Sequence, residues 1–311
     1  MKQQKHLYKA LFFIINFILA YLAYNVLISN ELTNTYDGLW AGANHHANDW
    51  EISIGRWFWP TANSIFHNNI EPEPFTSSLS LAMIVFGSCL IIQMFDLWEH
   101  WYSFLITLGI TINTTVCSFL SYRYMSPIFS FSFLTSIIVV WSIIQFNKKE
   151  ALPSKLAGII ISTFFFAISL GLYQANIGCT CLLILVWLIY LLGHEKNWKN
   201  IAIFAIQGIL IFICGCLLYN FLWKYELAKY GIQPSDYNGA NNVSITYIIQ
   251  SLPQRINLSY YTWDQFFSCK TSIIFNALAD NRFVFLLYSL FFIVIILVII
   301  EITSNAVNIK D

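Results

Sequence analysis

Long apolar runs alternate with polar segments along this chain, and most runs are close to the roughly 20 residues a helix needs to cross a bilayer. The pattern predicts eight spans, near residues 7–29, 77–97, 101–119, 126–146, 156–172, 175–192, 200–223 and 283–302. Together they predict an all-α polytopic membrane protein in which residues 1–311 form one integral membrane domain. Two polar segments are too long to be simple turns, 30–76 and 224–282. In the first, Trp50, Ile54, Trp57 and Phe58 fall at i, i+4, i+7 and i+8, which predicts an interfacial helix over 49–59 with Asp49 and Arg56 on one face. In the second, Ser244–Leu252 and Tyr260–Phe267 are amphipathic and predict further interfacial helix beside the turn chemistry of Gly231 to Asn242.

Basic residues set the orientation. Lys2, Lys5 and Lys9 precede the first span, Lys148, Lys149 and Lys155 follow the fourth, and Lys196 and Lys199 follow the sixth. If the spans alternate, all of these lie on one face, and that face is cytoplasmic by the positive-inside rule. Both termini are then cytoplasmic, and the 30–76 and 224–282 segments face outward with Arg123. The first apolar run is too long for a cleavable h-region and is expected to stay as an anchor.

Composition agrees with a membrane setting. Of 311 residues, 58% are hydrophobic and 10% charged, against about 25% charged in soluble domains. A formal net charge of zero offers nothing to a nucleic acid. Six of the seven cysteines, all but Cys269, lie in or at the ends of apolar runs and read as small packing residues. No Asp, Glu, Lys or Arg falls in the middle of a span, which weakens an ion-coupled transport reading.

The chemistry is concentrated instead in Tyr36–Pro60, where Asp37, His45, His46, Asp49, Glu51 and Arg56 sit among aromatic rings. Asp37 follows the first span by a short linker and can act as a general base on a hydroxyl; its alternative is a turn residue, since Tyr-Asp-Gly is good turn chemistry. Asp49 and Glu51 form a second carboxylate pair that can hold a divalent cation, orient an acceptor, or pair with Arg56. A divalent cation is thus the one candidate cofactor. His45-His46 reproduces no metal-ligand spacing. Arg56, preceded by Gly55, can clamp a phosphate bidentately. Arg255 and Arg123 are the next candidates for that role, ahead of Lys270 and Arg282. No Gly-rich phosphate loop is present, which disfavours a nucleotide-sugar donor.

YDGLW followed by DWEISIGRWFWP after a first transmembrane helix resembles the bacterial glucosyl transferase GtrII family. SLGLYQA, Ser169–Ala175, looks like the Tyr-Gln motif that family carries between two helices, and SYRYMSP, Ser121–Pro127, sits where similar proteins have an aromatic and Arg-containing external turn. The resemblance spans roughly residues 1–220. It implies a GT-C-like enzyme of the bacterial cytoplasmic membrane. Such enzymes move a sugar, here expected to be glucose, from a polyprenyl-phosphate carrier to a cell-envelope glycan on the outer face. The implied partners are that donor, the glycan acceptor and membrane lipid, with catalysis on acidic residues of the first external loop: Asp37, then Asp49 or Glu51. Many family members carry a double Asp where this chain has Asp37-Gly38, and many are longer than this chain.

The mechanism this implies needs a cation at the leaving phosphate, Arg56 with Arg255, and groups that stack on and hydrogen-bond the sugar, for which Tyr173, Gln174 and Trp40 are the candidates. The competing reading is a non-catalytic transporter or assembly subunit for lipid-linked glycans, which would need Asp37 little and would place polar groups along its spans.

Overall fold

The computed structural model of this protein describes residues 2–33, 49–66, 73–149, 151–195, 197–235 and 245–267. Asp37, Trp40, His45, His46 and the expected eighth span at 283–302 lie outside the described residues. The described chain forms α1 (Lys2–Ala23), α2 (Asn25–Ser29), α3 (Asp49–Ser53), α4 (Trp59–Phe66), α5 (Phe75–Met94) and α6 (Tyr102–Thr111). It continues as α7 (Thr114–Ser121), α8 (Ser126–Asn147), α9 (Leu152–Leu172), α10 (Ile177–His194), α11 (Trp198–Tyr230) and α12 (Ile245–Phe267). A single 3-10 turn, Gln174–Asn176, joins α9 to α10. No strand occurs among the described residues.

Six of these helical segments are long and apolar enough to cross a membrane: His6–Ala23, Phe75–Met94, Ser126–Asn147, Leu152–Leu172, Gln174–His194 and Trp198–Tyr230. The pair α6–α7, bent by 41°, counts as a seventh if taken as one broken span. The protein is a multi-pass membrane protein, helical throughout its described residues, with six or seven spans there; the eighth expected span falls outside them. The chain falls into two compact units, Met1–Leu188 with Ala202–Ser235, and Ile189–Ile201 with Asp236–Asp311.

In the first unit α8 is the central helix, packed on α5 and α9. Of its span 78% is buried, against 17% of the α1 span, which exposes Leu11, Ile15 and Leu22 as a lipid-facing helix would. The α8 surface explains its position. Ser126, Ser130, Ser132, Ser136 and Ser142 are all buried, and side chains this small let neighbouring backbones approach closely. Two of them bond across the helix pairs: Ser132 Oγ donates to the Ser169 carbonyl at 3.0 Å and the Ser136 and Ser169 hydroxyls meet at 2.7 Å, while Thr180 Oγ1 donates to the Ser136 carbonyl at 3.2 Å. Nearer α5, Ser80 Oγ donates to Ser126 Oγ at 3.0 Å. Asn147 and Gln207 exchange amide hydrogen bonds at 2.7 and 3.1 Å, tying α8 to α11.

The break between α6 and α7 has an identifiable cause. Asn113 caps α7 by accepting the Val116 N–H at 3.0 Å, which leaves backbone groups around Ile112 outside any helix. Tyr24, at the α1–α2 junction, accepts the Asn113 N–H at 2.9 Å, and its O–H lies 3.1 and 3.0 Å from the carbonyls of Thr111 and Asn113. In lipid such groups must find partners inside the protein. Tyr24→Phe strands them and is expected to destabilise the protein by about 1–2 kcal/mol. Reversible unfolding in SDS measures this, and an unchanged midpoint would remove Tyr24 from the account.

In the second unit α12 is one continuous helix with Pro253 inside it, where the sequence suggested two shorter amphipathic pieces. Leu252, Ile256, Leu258, Tyr260 and Tyr261 are exposed on it.

Candidate functional site

The expected interfacial helix over 49–59 is two shorter helices, and the residue that divides them is Gly55. Its φ is +92°, a conformation glycine adopts at little cost and other residues avoid. The Gly55 N–H donates to the Ile52 carbonyl at 3.1 Å and the Arg56 N–H to the Glu51 carbonyl at 2.8 Å, the paired bonds of a Schellman stop. The chain then turns, and α4 restarts at Trp59 with Pro60 as its second residue, a place where a missing N–H costs nothing. The shared face of the single helix is therefore lost: Trp50 is exposed while Trp57 and Trp59 are buried.

The turn is then held from outside. The three carbonyls that end α3 each accept a distant donor: Ile52 from Trp223 Nε1 at 2.7 Å, Ser53 from the Ser235 N–H at 3.0 Å, and Ile54 from Gln174 Nε2 at 3.0 Å. Gln174 Nε2 also lies 3.3 Å from the Tyr219 hydroxyl. A little further on, the Phe58 N–H donates to the Gly171 carbonyl at 3.0 Å, and the Trp57 ring covers Gly171 so closely that a Cβ there would sit 2.5 Å from the indole nitrogen. Gly55 is equally crowded, since a Cβ would run into the Tyr219 hydroxyl and lie 2.7 Å from Gln174 Nε2. The close backbone approach that a glycine before Arg56 suggested is made by the protein's own α11 and α9–α10 turn.

These tethers fix Arg56. Its guanidinium carbon lies 4.7 Å from the centre of the Trp59 ring and 5.3 Å from that of Tyr173, two cation–π contacts that hold the group in place. Trp59 is fully buried, and Tyr173 packs its own ring on Phe129 at 4.6 Å. Glu51, 4% exposed, lies on the same turn, whereas Asp49 is exposed at the start of α3. The arrangement can hold a planar cation at a fixed place with an acidic residue nearby, which suits a phosphate oxygen or a developing negative charge.

The other sequence candidates fall elsewhere. Arg123, in the turn between α7 and α8, faces two carboxylates: Nη2 lies 3.5 Å from Glu31 and Nε 3.8 Å from Glu73. Glu73 was not among the sequence candidates. Its side chain is 3% exposed, and Oε1 accepts the hydroxyls of Thr76 at 2.6 Å and Ser77 at 2.9 Å, which joins the two ends of the first polar segment to the α7–α8 turn. Ser and Thr three and four residues after an acidic residue at a helix start were the readable signal. Arg255 belongs to the second unit, where its Nε donates to Ser251 Oγ at 2.9 Å. Tyr173 faces Arg56, and Gln174 directs its amide N–H groups to Ile54 and Tyr219. Tyr219 and Trp223, both essential to the tethering, were read as part of an apolar span; polar-tipped rings four apart at a span's end were the signal for them. Among the described residues no three His, Cys, Asp or Glu side chains gather as a metal cluster would.

The family described as Glucosyl transferase GtrII matches residues 41–310, nearly the whole chain and including every tether of the Arg56 turn. No curated protein and no solved structure matches the chain.

Proposed function

The chain belongs to the glucosyl transferase GtrII family, and from that premise we propose that this membrane glycosyltransferase takes glucose from a polyprenyl-phosphate carrier. The acceptor is a hydroxyl of a cell-envelope glycan, and the site is the Arg56 turn, on the outer face of a bacterial cytoplasmic membrane with both termini inside. The observation that carries the reading is the fixed guanidinium of Arg56 between Trp59 and Tyr173, on a turn held at three successive carbonyls.

In the proposed reaction the acceptor oxygen attacks the anomeric carbon opposite the phosphate. The bond from that carbon to the phosphate oxygen breaks, and its electron pair leaves with the polyprenyl phosphate. Arg56 offsets the charge that develops on the leaving oxygen. Asp37 takes the acceptor proton, with Asp49 or Glu51 as the alternative base. Arg56 is preferred over Arg123 as the phosphate partner because its guanidinium is placed against the Trp59 and Tyr173 rings on a turn held at three carbonyls. Tyr173, Gln174 and Trp40 are proposed to border the sugar, and Arg255 to assist at the phosphate. The overall architecture proposed is GT-C-like.

Sealed vesicles of defined orientation test both the donor and the face. Right-side-out vesicles holding the protein should transfer label from added polyprenyl-phosphate glucose and should ignore a nucleotide-linked glucose. Transfer from the nucleotide sugar in inverted vesicles would overturn the proposal.

A further inference from the structure

A second feature lies far from the Arg56 turn. Between α1 and α5 the first unit carries a lateral groove of about 370 Å³, at the small end of the range for ligand sites. Its walls are apolar, from Phe13 and Ile14 on α1 and Phe86 and Leu90 on α5. Ile14 and Phe86 are each about half exposed, so the groove opens towards lipid. Its mouth is different. Lys9 Nζ sits over the Trp98 ring, 4.7 Å from its centre, and Gln93 borders the same end. Trp98 is held in place by the Tyr8 hydroxyl, which donates to its carbonyl at 3.0 Å, and by an edge contact with Phe12 at 5.4 Å. Its indole N–H is buried with no acceptor, a group that normally finds one. Among the described residues Lys9 has no carboxylate partner.

Three donors at the mouth of an apolar groove match a ligand with an anionic head and a hydrocarbon tail. We propose that this groove binds one anionic phospholipid, its chain along Phe13, Ile14, Phe86 and Leu90 and its phosphate at Lys9, Gln93 and Trp98. Asp96 and Glu99 stand exposed in the turn beside Trp98. They disfavour a polyanionic head and leave a phosphodiester with a single charge as the fitting ligand. A polyprenyl carrier does not fit. Gln93 is eighteen residues along α5 from Phe75, about 27 Å at the helical rise, so the groove lies across the membrane from Glu73 and Arg123. The proposal rests on the fold and stands whether or not the proposed reaction does.

The test is native mass spectrometry of the delipidated full-length chain given equal amounts of dioleoylphosphatidylglycerol and dioleoylphosphatidylcholine. One phosphatidylglycerol should be retained about five-fold in preference, the effect of about one cation at the membrane surface. Lys9→Gln should abolish that preference, and Ile14→Trp, which fills the groove, should reduce retention of both lipids. Lys149→Gln, a cation on the same expected membrane face, should leave it unchanged. Equal retention by the wild type overturns the site, as does an undiminished preference in Lys9→Gln or an equal loss in Lys149→Gln. Displacement of the lipid by added polyprenyl phosphate would assign the groove to the carrier and overturn the choice of phospholipid.

Discussion

Gly55→Ala is expected to lower sugar transfer about 100-fold while leaving the protein folded and in the membrane. Two independent costs meet at this position. The φ of +92° belongs to glycine, and an L-residue there loses roughly 1–2 kcal/mol. The new methyl must also displace the Tyr219 hydroxyl and Gln174 Nε2, which lies 2.7 Å from its ideal position. Moving them loosens the hydrogen bond from Gln174 to Ile54 and lets the turn carrying Arg56 shift, and a displacement of about 1 Å is enough for a loss of this size. The second variant is the informative one. Gly55→Ala with Tyr219→Phe removes one of the two obstacles and should recover about ten-fold of the lost rate, the non-additivity expected of residues in contact. Size-exclusion profiles of both proteins, beside transfer rates, separate this result from simple misfolding.

Arg56→Lys is expected to cost between about 100-fold and 1000-fold in kcat, although the charge is kept. An ammonium cannot present two parallel N–H groups, and a shorter-reaching point charge does not reproduce the contacts of the guanidinium with Trp59 and Tyr173. Arg123→Lys offers the contrast. Its charge faces Glu31 and Glu73, so the expected outcome is a lower unfolding midpoint with transfer reduced by less than about ten-fold. Equal losses of kcat in the two variants would mean that Arg56 has no special place in the chemistry.

The membrane spans were legible because hydropathy over 20 or so residues is a strong, local signal. All seven expected spans that fall in the described residues have a helical counterpart, although 101–119 is broken at Ile112-Asn113. That break follows from a tyrosine 89 residues away that captures the Asn113 backbone, and no window around residue 113 contains it. The first polar segment was legible in what it contains and less so in its shape. The spacing of Trp50, Ile54, Trp57 and Phe58 favoured one helix, but the Schellman stop at Gly55 prevailed over periodicity. A glycine followed by arginine and then aromatics could have been read as that stop.

The Tyr-Gln pair shows the other limit. The motif was visible, and its placement in the turn between two spans agrees with the structure. What Gln174 does there depends on Ile54, 120 residues earlier, and on Tyr219, 45 residues later. Hydropathy treats Tyr219 and Trp223 as membrane-facing rings, so the two α11 residues that shape the turn, Trp223 as a donor to Ile52 and Tyr219 as an acceptor from Gln174, carried no local signal strong enough to single them out. The GtrII resemblance, by contrast, rested on short stretches and is matched over residues 41–310. Asp37 and Trp40 lie outside the described residues, and their roles rest on chemistry and on solution tests.

The most direct test of the central claim is transfer of labelled glucose from polyprenyl-phosphate glucose by purified protein, wild type against Asp37→Asn, with both shown to be folded. The expected result is turnover by the wild type and a loss of at least about 100-fold in the variant, the contribution of a general base. Equal turnover by the two proteins would contradict the assignment of the base to Asp37, and absence of turnover by the wild type would contradict the proposed donor.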